Sequence, residues 1–163
     1  MSETLLRSPA TDAAGPLGLG LQLYEQPLEI RVTHNLASAP ALGQIQRDGE
    51  ITRLRHWPEQ VWHVAASGSH LSDGTDISHG QIVLRLRGHG ALRFLADYTT
   101  ADLRAATIRQ AGTVRTRLGH YTVLLWWDIT RDIHIAVDRS QAQSLVDHLR
   151  ALIKRREPHE HLD

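Results

Sequence analysis

Gly112-Thr-Val-Arg-Thr-Arg-Leu118, the pair Gly119-His120 and Tyr121-Thr-Val-Leu-Leu-Trp-Trp-Asp128 read as two strands folded back around a tight turn. Two strands this close in the chain pair antiparallel, because a parallel pair needs a long crossover. Trp126 and Trp127 sharpen the reading. Neighbouring strand residues point to opposite faces, so one indole enters the core and the other lies on the sheet's outer face. An outward indole needs a cover, either the N-terminal segment or another protein, and Trp and Arg are the residues enriched at interface hot spots. The plainer alternative is a solvated face with one Trp lying along it.

Moving toward the C-terminus, Ile133-His-Ile-Ala-Val137 is a further strand, entered through Thr130-Arg131-Asp132. His134 alternates away from Ile133 and Ile135, which predicts a solvated position. A helix follows. Ala142, Leu145, Val146, Leu149, Leu152 and Ile153 form one apolar stripe at helical spacing. Ser140 and Gln143 stand at capping-box spacing. Lys154, Arg155 and Arg156 occupy the end where the helix dipole favours cations, and Pro158 stops the run.

Toward the N-terminus, Ile82, Leu84 and Leu86 alternate with Val83, Arg85 and Arg87, the period of a half-buried strand. Gly88-His89-Gly90 turns into a short helix over 91–97, with Ala91, Leu92 and Leu95 inward. Residues 51–56 and 61–65 read as paired strands around Trp57-Pro58-Glu59-Gln60, 68–74 as a loop and 75–78 as another strand. Residues 1–50 are broken by Ser8-Pro9, Gly15-Pro16, Gly18, Gly20, Pro27, Ala39-Pro40 and Gly43. They predict loops and one short strand over 28–32, with Leu28, Ile30 and Val32 on one face. Alone, such a segment buries too little to offset its ordering entropy. The expected organisation is therefore an extended N-terminal arm over 1–50, laid on a partner or left as a loose tail, an α+β domain over 51–157 and a tail over 158–163. The fold class expected is a mostly antiparallel sheet with two helices on one face.

Composition narrows the function classes. The 163 residues carry 18 Lys+Arg against 18 Asp+Glu, which removes the basic footprint of a nucleic-acid binder. Zero Cys excludes disulfides, thiolate metal sites and a Cys nucleophile. Met1 to Gly20 lacks a basic start with an apolar run, and no stretch approaches a membrane span, so a cytoplasmic location is the default expectation.

Catalytic motifs are weak. Gly88-His89-Gly90 lacks the third Gly of a dinucleotide fingerprint, since that position is Arg93. Gly15-Pro16-Leu17-Gly18-Leu19-Gly20 reads as a flexible loop. Ser67, Ser69 and Ser78 lie in no nucleophile elbow, and Ser78 and His79, as strand neighbours, would face opposite ways. His159-Glu160-His161 is the one dense set of ligand types, at the chain end and without zinc-site spacing. Arg85, Arg87, Arg115 and Arg117 alternate on two strands and could line one polar interface. Asp76 and Asp128 are the acidic candidates for acid–base work, and both border turns with no acidic neighbour at strand spacing.

One segment carries a family resemblance. Asp76-Ile77-Ser78-His79-Gly80-Gln81 with the strand to Gly88, then Ala91, Phe94, Leu95 and Asp102-Leu103, resembles the folate-binding domain of the aminomethyltransferases (glycine-cleavage T-proteins). Within that superfamily the chain is similar, over about residues 53–155, to the gamma subunit of heterotetrameric sarcosine oxidase. Trp57-Pro-Glu-Gln-Val-Trp62, Gly112–Leu118, Val123-Leu-Leu-Trp126 and Val137-Asp138-Arg139-Ser140 carry that likeness. The resemblance implies a folate-binding-like domain turned structural subunit, with no catalytic, cofactor-binding or metal residue on this chain. FAD, covalent FMN, NAD and tetrahydrofolate are then expected on larger alpha and beta partners, beside a small delta subunit, in a complex that oxidatively demethylates sarcosine or a related N-methyl amino acid. The sequence departs from the T-protein pattern where catalysis would lie. Its matching region, 123–128, is apolar and Trp-rich rather than acidic, and His89 replaces the usual Pro. The expected interface residues are Tyr24, Ile30, Trp57, Trp62, Arg85, Arg115, Trp126 and Trp127. The alternatives are a small stand-alone folate-binding or one-carbon transfer protein, and an interaction protein unrelated to amine oxidation.

Overall fold

A computed structural model describes residues 10–103, 110–129 and 131–157. The hairpin forms as expected. Strands β9 (Gly112–Leu118) and β10 (Tyr121–Ile129) pair from Tyr121 with Leu118 to Trp127 with Gly112. Strand β11 (Asp132–Asp138) lies on the other side of β10, followed by β8 (Gln81–Arg87), β2 (Leu21–Gln26) and β1 (Ala14–Gly18). This six-stranded antiparallel sheet has order β1-β2-β8-β11-β10-β9.

The expectation of one sheet with two helices on one face is overturned. A second antiparallel sheet of five strands has order β4-β5-β6-β3-β7. Its members are β3 (Leu28–Thr33), β4 (Ile45–Asp48), β5 (Ile51–Trp57), β6 (Gln60–Ala66) and β7 (Thr75–Asp76). One main helix, α2 (Ala142–Arg156), and the single turn α1 (Ala91–Ala96) complete the described elements longer than a 3-10 turn. The reason lies in β10, which is apolar on both faces: Val123, Leu125 and Trp127 join the core with α2, while Leu124 and Trp126 join a second core with Ile30, Leu54, Trp62 and Val64. A helix layer covers one face only. The second sheet covers the other, giving three layers and two cores.

The segment expected as an arm supplies β1 to β4 and so belongs to both sheets. Pro27 stands between β2 and β3 where the chain passes from one sheet to the other, a place where a missing backbone N–H breaks no ladder. Gly15 to Gly18, expected as flexible loop, is in β1, with a shift of register between Pro16 and Gly18. Gly88 shows why Gly88-His89-Gly90 is a turn. Its φ is +141°, and a Cβ there would lie 2.4 Å from the Gly20 carbonyl oxygen.

All six residues of the predicted stripe on α2 are buried. The capping box is not made. Helix α2 starts after a 3-10 turn at Arg139–Gln141 with no side-chain cap, and Gln143 turns instead to Asp12. Its amide donates to Asp12 Oδ1 at 2.6 Å and its Oε1 accepts from the Asp12 N–H at 3.1 Å. Arg150 donates to the same carboxylate at 2.7 Å, so the start of the described chain is tied to α2. The expected tail over 158–163, with Pro158 and the His159-Glu160-His161 cluster, lies outside the described residues, as do Ser8, Pro9 and Thr130.

Candidate functional site

On the face of the six-stranded sheet that meets the second sheet, Tyr24, Arg85, His134, Trp126 and Thr113 stand in register across five strands. His134 is not a solvated residue. Its ring stacks on Trp126 with centroids 4.9 Å apart and planes 4° from parallel, and its Nδ1 is buried without a hydrogen-bond partner. Burial pushes the imidazole below its ordinary value, against the pull of Asp132. Arg85 grips Asp132 with two hydrogen bonds, Nε to Oδ1 at 2.7 Å and NH2 to Oδ2 at 2.5 Å. Burial alone would raise the Asp132 carboxyl; the Arg85 hydrogen bonds and charge, with His134 and Arg87, bring it below the usual carboxylate value.

Next to this row the two sheets part into a cleft of about 220 Å³. Gln26, Trp126 and His134 line it from one sheet, and Ile45, Thr52 and Val64 from the other. Arg47 and Asp128 form an ion pair at 2.7 Å among its lining groups. Gln26 Oε1 is a second buried polar atom here without a partner. The cleft can hold a small hydrogen-bonding molecule against the stacked rings. Its volume is below the roughly 300–1,000 Å³ of ordinary ligand and cofactor pockets.

The sequence candidates fall apart spatially. Asp76 belongs to β7 in one sheet and Asp128 to β10 in the other. Asp76 accepts the Ser78 N–H at 2.9 Å, and its hydrogen bonds with Ser78 hold its carboxyl low. Ser78 lies in a 3-10 turn rather than a strand, and its Oγ accepts from Ile30 N–H at 2.8 Å and donates to Ile30 C=O at 3.4 Å, a purely structural bridge. Ser69 donates to the Ala66 carbonyl at 2.6 Å. Among the described residues no group of three His, Asp or Glu is placed to hold a metal. Arg85 and Arg87 on β8 are separated from Arg115 and Arg117 on β9 by two strands, so the four arginines do not share one patch.

The eight expected interface residues divide by burial. Ile30, Trp62, Trp126 and Trp127 are buried within the chain, and Trp127 Nε1 donates to the Gln110 carbonyl at 2.9 Å. Tyr24 and Arg85 are half-buried, while Arg115 and Trp57 are exposed, Trp57 by 53%. Sequence reasoning missed His134 and Gln26. Alternation put His134 on the face of Ala136, and only the unforeseen second sheet turned that face into an interior.

No family model matches the sequence, and no curated protein matches it. Among solved structures, a chain of the heterotetrameric sarcosine oxidase from Corynebacterium sp. U-96, in complex with pyrrole 2-carboxylate, superposes with a TM-score of 0.71. The chain is similar in fold to a sarcosine oxidase chain. The likeness covers 83% of this protein and 84% of that chain at 18% identity, so the two have comparable lengths and share an architecture.

Proposed function

We propose that this protein is a non-catalytic small subunit of a heterotetrameric, sarcosine oxidase-like flavoenzyme complex. The observation that carries the reading is the fold likeness, extending over more than four fifths of both chains, to a member of a heterotetrameric oxidase. The site geometry supports it. The inter-sheet cleft, bordered by a stacked His–Trp pair and an Arg–Asp ion pair, is smaller than an ordinary cofactor pocket. In this reading the larger alpha and beta subunits hold FAD, FMN, NAD and tetrahydrofolate and carry out the oxidative demethylation. This chain contributes buried contact area, with Trp57 and Arg115 as the exposed contact candidates. Among the described residues no helix is long and apolar enough to cross a membrane.

Co-expression with the larger subunits of such a complex tests the proposal. The expected result is one species on size exclusion in which flavin absorbance travels with this chain, and no sarcosine turnover by the chain alone. Tight flavin retention or turnover by the lone chain, or persistent failure to co-elute, overturns it.

A further inference from the structure

The outer face of the five-stranded sheet, the side away from the inter-sheet core, carries two arginines with a histidine between them. Arg53 on β5 lies opposite His63 on β6, and His63 lies opposite Arg31 on β3. Arg31 has a hydrogen bond, from NH1 to the Gly74 carbonyl at 2.9 Å, and a carboxylate, Glu29 Oε1, 3.5 Å from its Nε, although that Nε makes no hydrogen bond. Arg53 makes no guanidinium hydrogen bond among the described residues. Its side chain is only 17% exposed, and its Nε is buried without a hydrogen-bond partner. The one carboxylate within 4 Å among the described residues is Asp48, at 3.8 Å from NH2 and itself 75% exposed. A cleft of about 260 Å³ opens over Arg53 and His63, rimmed by Thr33, Asn35, Ala39 and Asp73. Two local hydrogen bonds shape the loop above it, Asn35 N–H to Thr33 Oγ1 and Ala37 N–H to Asn35 Oδ1. Burial, with Arg53 beside it, holds the His63 imidazole below its ordinary value, while Asp73 pulls the other way.

We propose that Arg53 and His63 form the floor of a binding site for a small oxyanion, a carboxylate or phosphate group. A buried guanidinium N–H with no acceptor is costly, and an oxyanion supplies the acceptor in the planar geometry that Arg matches. The neutral His63 imidazole adds one ring N–H as a second donor to the anion. Asp73 on the rim repels extended polyanions, so the site favours a compact group seated on the Arg53 side. This site is on the far face of the second sheet from the helices and is independent of the subunit assignment.

Titration of the full chain with inorganic phosphate, and separately with acetate, at constant ionic strength tests the proposal, read at the His63 imidazole by proton NMR. The expected result is a saturable shift with at least one anion. Whichever one saturates identifies the group as phosphate or carboxylate. Arg53→Met weakens that binding at least about tenfold, while Arg93→Met, on α1 in the helix layer, leaves it unchanged. Should Arg53→Met fail to fold, Arg53→Lys, which keeps the charge and loses the guanidinium fork, carries the same comparison. No saturable shift with either anion, or equal affinity in the Arg53 variant, overturns the site.

Discussion

Trp57 and Trp126 differ by solvent exposure alone at the level of residue type, 53% against 4%, and that difference separates two kinds of loss. Trp126→Ala opens a cavity between the sheets and removes the stack on His134, and the expected cost is about 3–5 kcal/mol in chemical denaturation. Trp57→Ala leaves the core intact, so unfolding shifts by no more than about 0.5 kcal/mol. As a contact residue for a larger subunit it instead weakens co-elution by more than about 1 kcal/mol of binding. A Trp57 variant that unfolds easily, or one that binds its partners as well as wild type, contradicts that division. His56 supplies a pH prediction. Its ring meets Trp62 edge-on at 5.2 Å, and burial, then the charge of Arg115, lowers its pKa to about 4 from 6.5. As pH falls through 6.5 the unfolded chain takes up the proton first, so stability drops between 6.5 and about 4 and this group adds no further loss below. His63 and His134 are shifted in the same direction and deepen the fall. Asp12, Asp76 and Asp132 are held low and keep their contributions until the pH passes below 3.8. Melting temperature should fall as the pH is lowered across that window, and His56→Gln should flatten the fall. A slope unchanged by the substitution removes His56 as its source.

At the level of elements, legibility followed the range of the interactions. The α2 stripe was readable because helical periodicity is local, and its six residues are buried together. The β9–β10 hairpin was readable for the same reason. The capping box had equally local spacing, yet Gln143 is engaged by Asp12, 131 residues away in sequence. A tertiary partner outcompeted the local one, and no window of sequence contains both. The consequence is measurable. Ser140→Ala is expected to change stability by less than about 0.5 kcal/mol, below the roughly 0.5–2 kcal/mol of a working N-cap. Leu149→Ala, fully buried on the same helix, should cost about 2–5 kcal/mol. A Ser140 variant as damaged as a cap loss would restore the capping reading.

At the level of the molecule, the layering was hidden because the glycines and prolines of the first fifty residues punctuate short strands rather than forbid them. Gly18 at φ +107° and Gly20 at φ +70° bend the chain between β1 and β2, and Pro27 divides β2 from β3. The inter-sheet candidate site was illegible for the same cause, since His134 and Gln26 become interior only once β3 to β7 cover them. An arm and a shared pair of sheets make opposite predictions for deletion of residues 1–33. Were those residues an arm, the remainder would keep a cooperative fold. In the observed topology their loss strips β1 and β2 from one side of β8, removes β3 from between β6 and β7, and takes Ile30 out of the second core. Truncating a buried Ile to Ala alone costs about 2–5 kcal/mol, a large part of the roughly 5–15 kcal/mol that holds a domain folded. The shortened chain should therefore lose its cooperative unfolding transition and its dispersed amide spectrum. Retention of both would return residues 1–33 to the role of a dispensable extension and leave the second sheet without its organising strand.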